Sequence, residues 1–161
     1  MSNKIMVPLA LSDYKNNLFK FAVEQARKTN ANLLLVHVIE EKDVKAIRNI
    51  ASYGFHVNEK QLLESIRQDK EEKFARLLKV TDYPHEKITS TLLEGDPVDE
   101  LLKFAVREEV EMIIMGIRGK SDLLHTFTGS IANTLFRRSP ISILSYRDPV
   151  SAERLRNRLG E

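Results

Sequence analysis

Leu33-Leu34-Leu35-Val36-His37-Val38-Ile39 is an apolar run broken only by one imidazole. A run this short does not make a full helix, and it lacks the alternation of a strand with one wet face. It fits a strand covered on both sides, the environment of a parallel sheet between helices. Residues 4–9 read as a second strand, followed by a loop at 10–12. Residues 13–29 then place Leu18, Ala22, Val23 and Ala26 on one helical face, with Ser12 or Asp13 as N-cap.

Residues 40–58 show the least regular pattern, that of a partly helical surface excursion. Residues 59–80 form a long helix with Leu63, Ile66, Phe74 and Leu77 on one side. Lys70 interrupts that stripe, its stem along the surface and its charge in water. Asp82-Tyr83-Pro84 stops this helix, and residues 88–93 resume as a strand. Asp96 caps the next helix, Pro97 suits its first position, and Asp99 adds negative charge to the first turn. Val98, Leu101, Leu102, Ala105 and Val106 follow at helical spacing. Residues 112–115 are a buried strand ending at Gly116. Gly129-Ser130 opens a helix with Ile131, Leu135 and Phe136 inward, and residues 140–145 are the last strand.

Strands alternating with amphipathic helices define an α/β chain, a parallel sheet in a three-layer α/β/α arrangement with right-handed crossovers. With 161 residues, 42% of them hydrophobic, the chain supports a single domain over 1–146. Residues 147–161, with Arg154, Arg156 and Arg158 beside Leu155 and Leu159, read as a frayed tail or short surface helix. A net charge of +2 makes no global electrostatic case for a nucleic-acid or membrane-surface partner. The absence of cysteine excludes disulfides, thiolate metal sites and cysteine nucleophiles. The first apolar run is short and contains proline, and no stretch approaches the ~20 apolar residues of a membrane span. The expectation is a soluble cytoplasmic protein.

In open α/β sheets ligands bind beyond the carboxyl ends of the strands, where the strand order reverses. That rule selects the segments after Leu9, Ile39 and Met115. The last of these is Gly116-Ile117-Arg118-Gly119, nine residues, then Gly129-Ser130. Gly116 and Gly119 permit positive φ and close approach of backbone to a ligand. Gly129 and Ser130 enter a helix whose free N–H groups and positive dipole end suit a phosphate. Arg118 and Lys120 bring cationic charge nearby. A Walker loop and a Gly-x-Gly-x-x-Gly dinucleotide fingerprint are both absent.

These motifs resemble the universal stress protein family over residues 4–146. The match rests on Ile5-Met6-Val7-Pro8 with Ser12, Leu35-Val36-His37-Val38, Gly95-Asp96-Pro97, and Gly-x2-Gly-x9-Gly-Ser followed by Ser139-Pro140-Ile141. The long glycine spacing is that family's ATP-binding signature. The resemblance implies a five-stranded parallel sheet in the order 3-2-1-4-5, the adenine-nucleotide α-hydrolase-like variety of Rossmann-like fold. It also implies a homodimer pairing through the last strand. On this reading Pro8, Leu9, Ala10, Ser12 and Val38 surround adenine, and Met115 and Gly116 pass under base and ribose. Arg118 and Gly119 approach the ribose and α-phosphate, and Gly129, Ser130 and Ile131 donate to phosphates. The implied cofactor is ATP, with Mg or Mn as the accompanying cation.

One position departs from the family pattern. Its ATP binders usually carry an acidic residue where this chain has Ala10, and a methyl group accepts no hydrogen bond. The expected function is an ATP-binding regulatory module in stress response, with hydrolysis slow and incidental. Ala10 keeps open a nucleotide-free dimeric interaction protein of the same fold. An adenylyl-transfer enzyme lacks visible substrate-side residues. His37, His56, His85 and His125 share no metal-ligand spacing, and His37 reads as a hydrogen-bonded structural imidazole. The acid pairs Glu40-Glu41 and Glu71-Glu72 read as solvated faces, and Glu108-Glu109 has no functional reading.

Overall fold

The computed structural model describes residues 3–11, 17–54, 58–117 and 127–160, and for 127–130 the backbone alone. Five strands run parallel in the order β3-β2-β1-β4-β5: β1 (Lys4–Pro8), β2 (Asn32–Glu40), β3 (Ile88–Gly95), β4 (Met112–Gly116) and β5 (Ser142–Tyr146). The helices are α1 (Asn17–Thr29), α2 (Glu41–Ser52), α3 (Glu59–Lys79), α4 (Pro97–Arg107), α5 (Phe127–Arg138) and α6 (Pro149–Leu159). The α/β class and the strand order implied by the family resemblance both hold.

Period-two geometry sends alternate strand residues to opposite faces, and both faces are covered. Ile5, Val7, Leu33, Leu35 and Ile114 face one core, packed by Phe19, Ala22, Val23 and Ala26 of α1 and by Phe74 and Leu77 of α3. Met6, Leu34, Val36, Ile113 and Met115 face the other, packed by α4 and α5. This double burial is why β2 shows no polar alternation. Its pairing with β1 runs from Lys4↔Asn32 to Pro8↔Val36, and its pairing with β3 ends at Glu40↔Gly95.

Some expected inward residues and element bounds need correction, while the partly helical surface excursion expected over 40–58 contains a regular helix at 41–52: Val44 and Ile47 turn inward, and Glu41 and Asp43 complement the dipole of its first turn. The stretch looked irregular because only Ile47 is buried; the rest of the helix is wet or half-wet. In α4 Val106 points outward at 57% exposure, and Phe104 occupies the core in its place. In α5 Phe136 is 42% exposed while Leu135 is fully buried. β3 extends two residues beyond Leu93, and β5 starts at Ser142 rather than 140. α5 starts at Phe127, two residues before Gly129.

One helix start was legible from local chemistry. Asp96 accepts a hydrogen bond from the Asp99 amide at 3.0 Å, with Pro97 opening α4. Gly95 immediately before it sits at φ 138°, and a Cβ there would lie 3.0 Å from Glu100 Cγ, so glycine is required. Beyond β5, α6 is capped by Asp148, whose carboxylate accepts from the Ser151 amide at 3.0 Å. The segment after residue 146 is therefore an ordered helix, the second of the two forms expected for it.

Candidate functional site

The chain passes from β1 to β2 on one side of the sheet and later places β4 on the other side of β1. The carboxyl ends of β1 and β4 thus flank the point where strand order reverses, which is where open α/β sheets have their ligand crevice. On the β1 side, Pro8 ends the strand and Leu9 extends the ladder by one bond, its amide donating to Val36 O at 2.8 Å. Leu9 O accepts from His37 Nδ1–H at 2.7 Å. Ala10 is exposed, and Leu11 packs against the α1-side core at φ 55°. A left-handed backbone in a leucine is strained, and such strain concentrates at functional loops.

The acceptor at Leu9 fixes the proton on His37 Nδ1, so the ring is the Nδ1–H tautomer when neutral. Burial holds the His37 pKa below its ordinary value; the Leu9 bond opposes that, and Lys70 and Lys73 reinforce it. His37 therefore ties the loop after β1 to β2. The expected structural imidazole is present, and it acts on a segment of the candidate site.

On the β4 side, Met115 is buried against the α4-side core and Gly116 is the exposed last residue of the strand. Gly116 has no positive φ, and a Cβ there would meet only Leu18 Cδ2 at 3.5 Å. Gly116 therefore uses neither the left-handed backbone that glycine permits nor a crowded position; it is in register with Tyr146 of β5, whose carbonyl accepts from the Ile117 amide at 3.1 Å. Gly129 and Ser130 are the third and fourth residues of α5; the Gly129 amide is among the first-turn N–H groups with no intrahelical acceptor, and Ser130 follows it. Ile131 is the fifth residue of that helix, its side chain half-buried against the α4-side core. Ser12, Asp13, Arg118, Gly119 and Lys120 lie outside the described residues, as do His56 and His125.

A cavity of about 370 Å³ lies at the carboxyl end of β2. Ala10, Val38, Ile39, Val44 and Ile66 give it apolar walls, and His37, Glu40, Asp43 and Lys70 its polar groups. It joins Ala10 and Val38, two expected site residues, to α2 and α3, which carry none of the other expected site residues. Lys70 was expected with its charge in water; its side chain is 19% exposed and lines this cavity. The signal for α2 was available in the spacing of Val44 and Ile47. What hid it was the charged sequence on either side of them.

Among the described residues no group of three histidine, aspartate or glutamate side chains could hold a metal ion. Nor is any helix among them long and apolar enough to cross a membrane.

Residues 1–147 match the model of the universal stress protein family. The chain belongs to that family. Universal stress protein MJ0577 of Methanocaldococcus jannaschii is 24% identical over 152 residues, covering 89% of this chain and 94% of the relative. Its solved structure superposes with a TM-score of 0.64 at 22% identity, covering 91% of this chain and 96% of that one. A universal stress protein solved in complex with cAMP gives a TM-score of 0.59 at 20% identity over 91% of this chain and 97% of its own. One from Archaeoglobus fulgidus in complex with dAMP gives 0.57 at 16% identity, over 90% of this chain and 97% of its own. The family match ends at 147, so α6 lies beyond it.

Proposed function

We propose that this universal stress protein is a nucleotide-binding regulatory module whose ligand is ATP, held across the β1–β4 crevice. The observation that carries the reading is the position of Gly129 and Ser130 in the first turn of α5, in the crossover that leaves β4 at the strand-order reversal. Free amides and the positive helix end at that turn match a polyanion. Two relatives of the same fold were solved with adenine nucleotides, which supports an adenine ligand.

In this arrangement Pro8, Leu9, Ala10 and Val38 border the base, and Met115 and Gly116 lie beneath base and ribose. Ser12, Arg118 and Gly119 complete the loops around it. Phosphate oxygens take the α5 amides, with Gly129 ahead of Ser130 and Ile131 because helical amides beyond the first four are already paired. A Mg or Mn ion is then held by phosphate oxygens and water rather than by a protein cage. On this reading the module acts by binding, with any hydrolysis slow and incidental.

Ala10 favours a second reading, a nucleotide-free interaction protein. Loss of one charged acceptor weakens binding by roughly ten- to a hundred-fold. Native mass spectrometry of the purified protein and calorimetric titration with millimolar ATP separate the two. Bound nucleotide that disappears in Gly129→Asp, at unchanged ligand-free melting temperature, is the expected result, and Ala10→Asp should tighten binding. Absence of ligand in both measurements overturns the reading and leaves the second.

A further inference from the structure

The cavity beside Ala10 has a chemistry that the family pattern does not describe. Its walls are aliphatic and suit a flat heteroaromatic ring. Two of its polar lining residues come from the helices that follow β2, Asp43 from the first turn of α2 and Lys70 from the middle of α3.

Two of the lining groups already have partners: Glu40 holds Lys42 at 2.8 Å, and His37 donates its Nδ1–H to Leu9 O, leaving Nε2 as a neutral acceptor. Asp69 lies 3.0 Å from Lys73 but 3.8 Å from Lys70, so the Lys70 ammonium keeps donors available to the cavity. Asp43 makes no ion pair among the described residues. The cavity therefore offers a carboxylate that only accepts and an ammonium that only donates. A complementary ligand edge carries a donor next to an acceptor.

We infer that Asp43 and Lys70 are specificity-determining residues that read the edge of a 6-aminopurine, Asp43 accepting from the exocyclic amine and Lys70 donating to the adjacent ring nitrogen. The inference rests on the proposed nucleotide site and adds to it. Ala10, which lines the same cavity, cannot accept that hydrogen bond, and Asp43 supplies the acceptor from α2 instead. Base recognition thus moves from the loop after β1 to a helix that leaves β2.

The test titrates ATP and purine riboside triphosphate, which lacks the 6-amino group, against wild type, Asp43→Asn and Lys70→Met. Asp43 is exposed in the first turn of a helix, so Asp43→Asn should keep the ligand-free melting temperature. The expected result is about tenfold weaker ATP binding in Asp43→Asn with the analogue unaffected. Lys70→Met should weaken both ligands, and Ala10→Asp in the Asp43→Asn background should recover ATP affinity. Wild-type ATP binding that Asp43→Asn leaves unchanged, or that it weakens equally for both ligands, overturns this inference alone. A wild type that binds neither ligand overturns the nucleotide site itself, and this inference with it.

Discussion

His37 shows how one side chain couples the sheet to the site. Because burial depresses its folded-state pKa, the unfolded chain binds the proton more readily than the folded one. Stability therefore rises with pH across the interval between the lowered folded value and the ordinary 6.5, and falls as pH drops through it. His37→Asn retains an N–H that can reach Leu9 O but does not titrate. Denaturant titrations at pH 7.5 and 5 should show a smaller stability difference in this variant than in wild type. Glu109 is a second residue whose backbone decides its effect. It sits at φ 55° just past α4, where the Val110 amide donates to Ala105 O at 2.9 Å and closes the helix end. An acidic, non-glycine residue there meets both left-handed strain and the negative end of the helix. Glu109→Gly should raise stability by about 1 kcal/mol, read as a melting-temperature gain of roughly 2–4 °C. Its neighbour Glu108 has a structural role: its carbonyl accepts from Lys4 Nζ at 2.8 Å, and the two side chains pair at 3.7 Å.

Among the elements, the α1–β2 turn is locked from a distance. Tyr83, in the link between α3 and β3, is 4% exposed, and its hydroxyl donates to Ala31 O at 2.6 Å. The Arg27 guanidinium lies 5.5 Å from the ring centroid and its charge pairs with Asp82. Tyr83→Phe leaves a buried carbonyl without its donor and should destabilise the fold by about 1–3 kcal/mol in urea denaturation. The residues Asp82-Tyr83-Pro84 were legible as a helix stop from proline chemistry alone. That the tyrosine reaches back to the turn after α1 was not, because that contact spans 52 positions of sequence. α2 marks the same boundary: its single buried residue makes its amphipathicity visible only once α3 and β2 are packed against it. Arg48 then joins α2 to α3 through Glu59 at 2.6 Å.

At the scale of the molecule, β5 is a sheet edge. The Ile117 amide donates to Tyr146 O at 3.1 Å, so Tyr146, and with it Leu144 and Ser142, direct their backbone groups to β4. Ile143 and Ser145 direct theirs outward. Among the described residues no strand covers this edge, and an uncovered edge strand is a template for a second copy of itself; we therefore propose the homodimer through the last strand that the family resemblance implies. Ser145→Pro removes an outward amide and leaves the β4 ladder intact. Sedimentation should show a dimer for wild type and a monomer for this variant, with circular dichroism unchanged; a wild-type monomer refutes the dimer.

Much of this protein was written in local patterns. Runs of apolar residues, their helical spacing, Asp96-Pro97 and the long-spaced glycines specify strands, helices and the crossover that bears the candidate phosphate cradle, because each depends on neighbours a few positions apart. Strand order was reached only through family likeness, since β1 pairs with both β2 and β4 through contacts that no local period encodes. Tertiary structure alone decided that Phe104 rather than Val106 enters the core, that Lys70 and Asp43 meet Ala10 at one cavity, and that His37 holds Leu9. Those are questions of which surfaces face each other across the sheet, and burial and hydrogen bonding answer them only when the layers close.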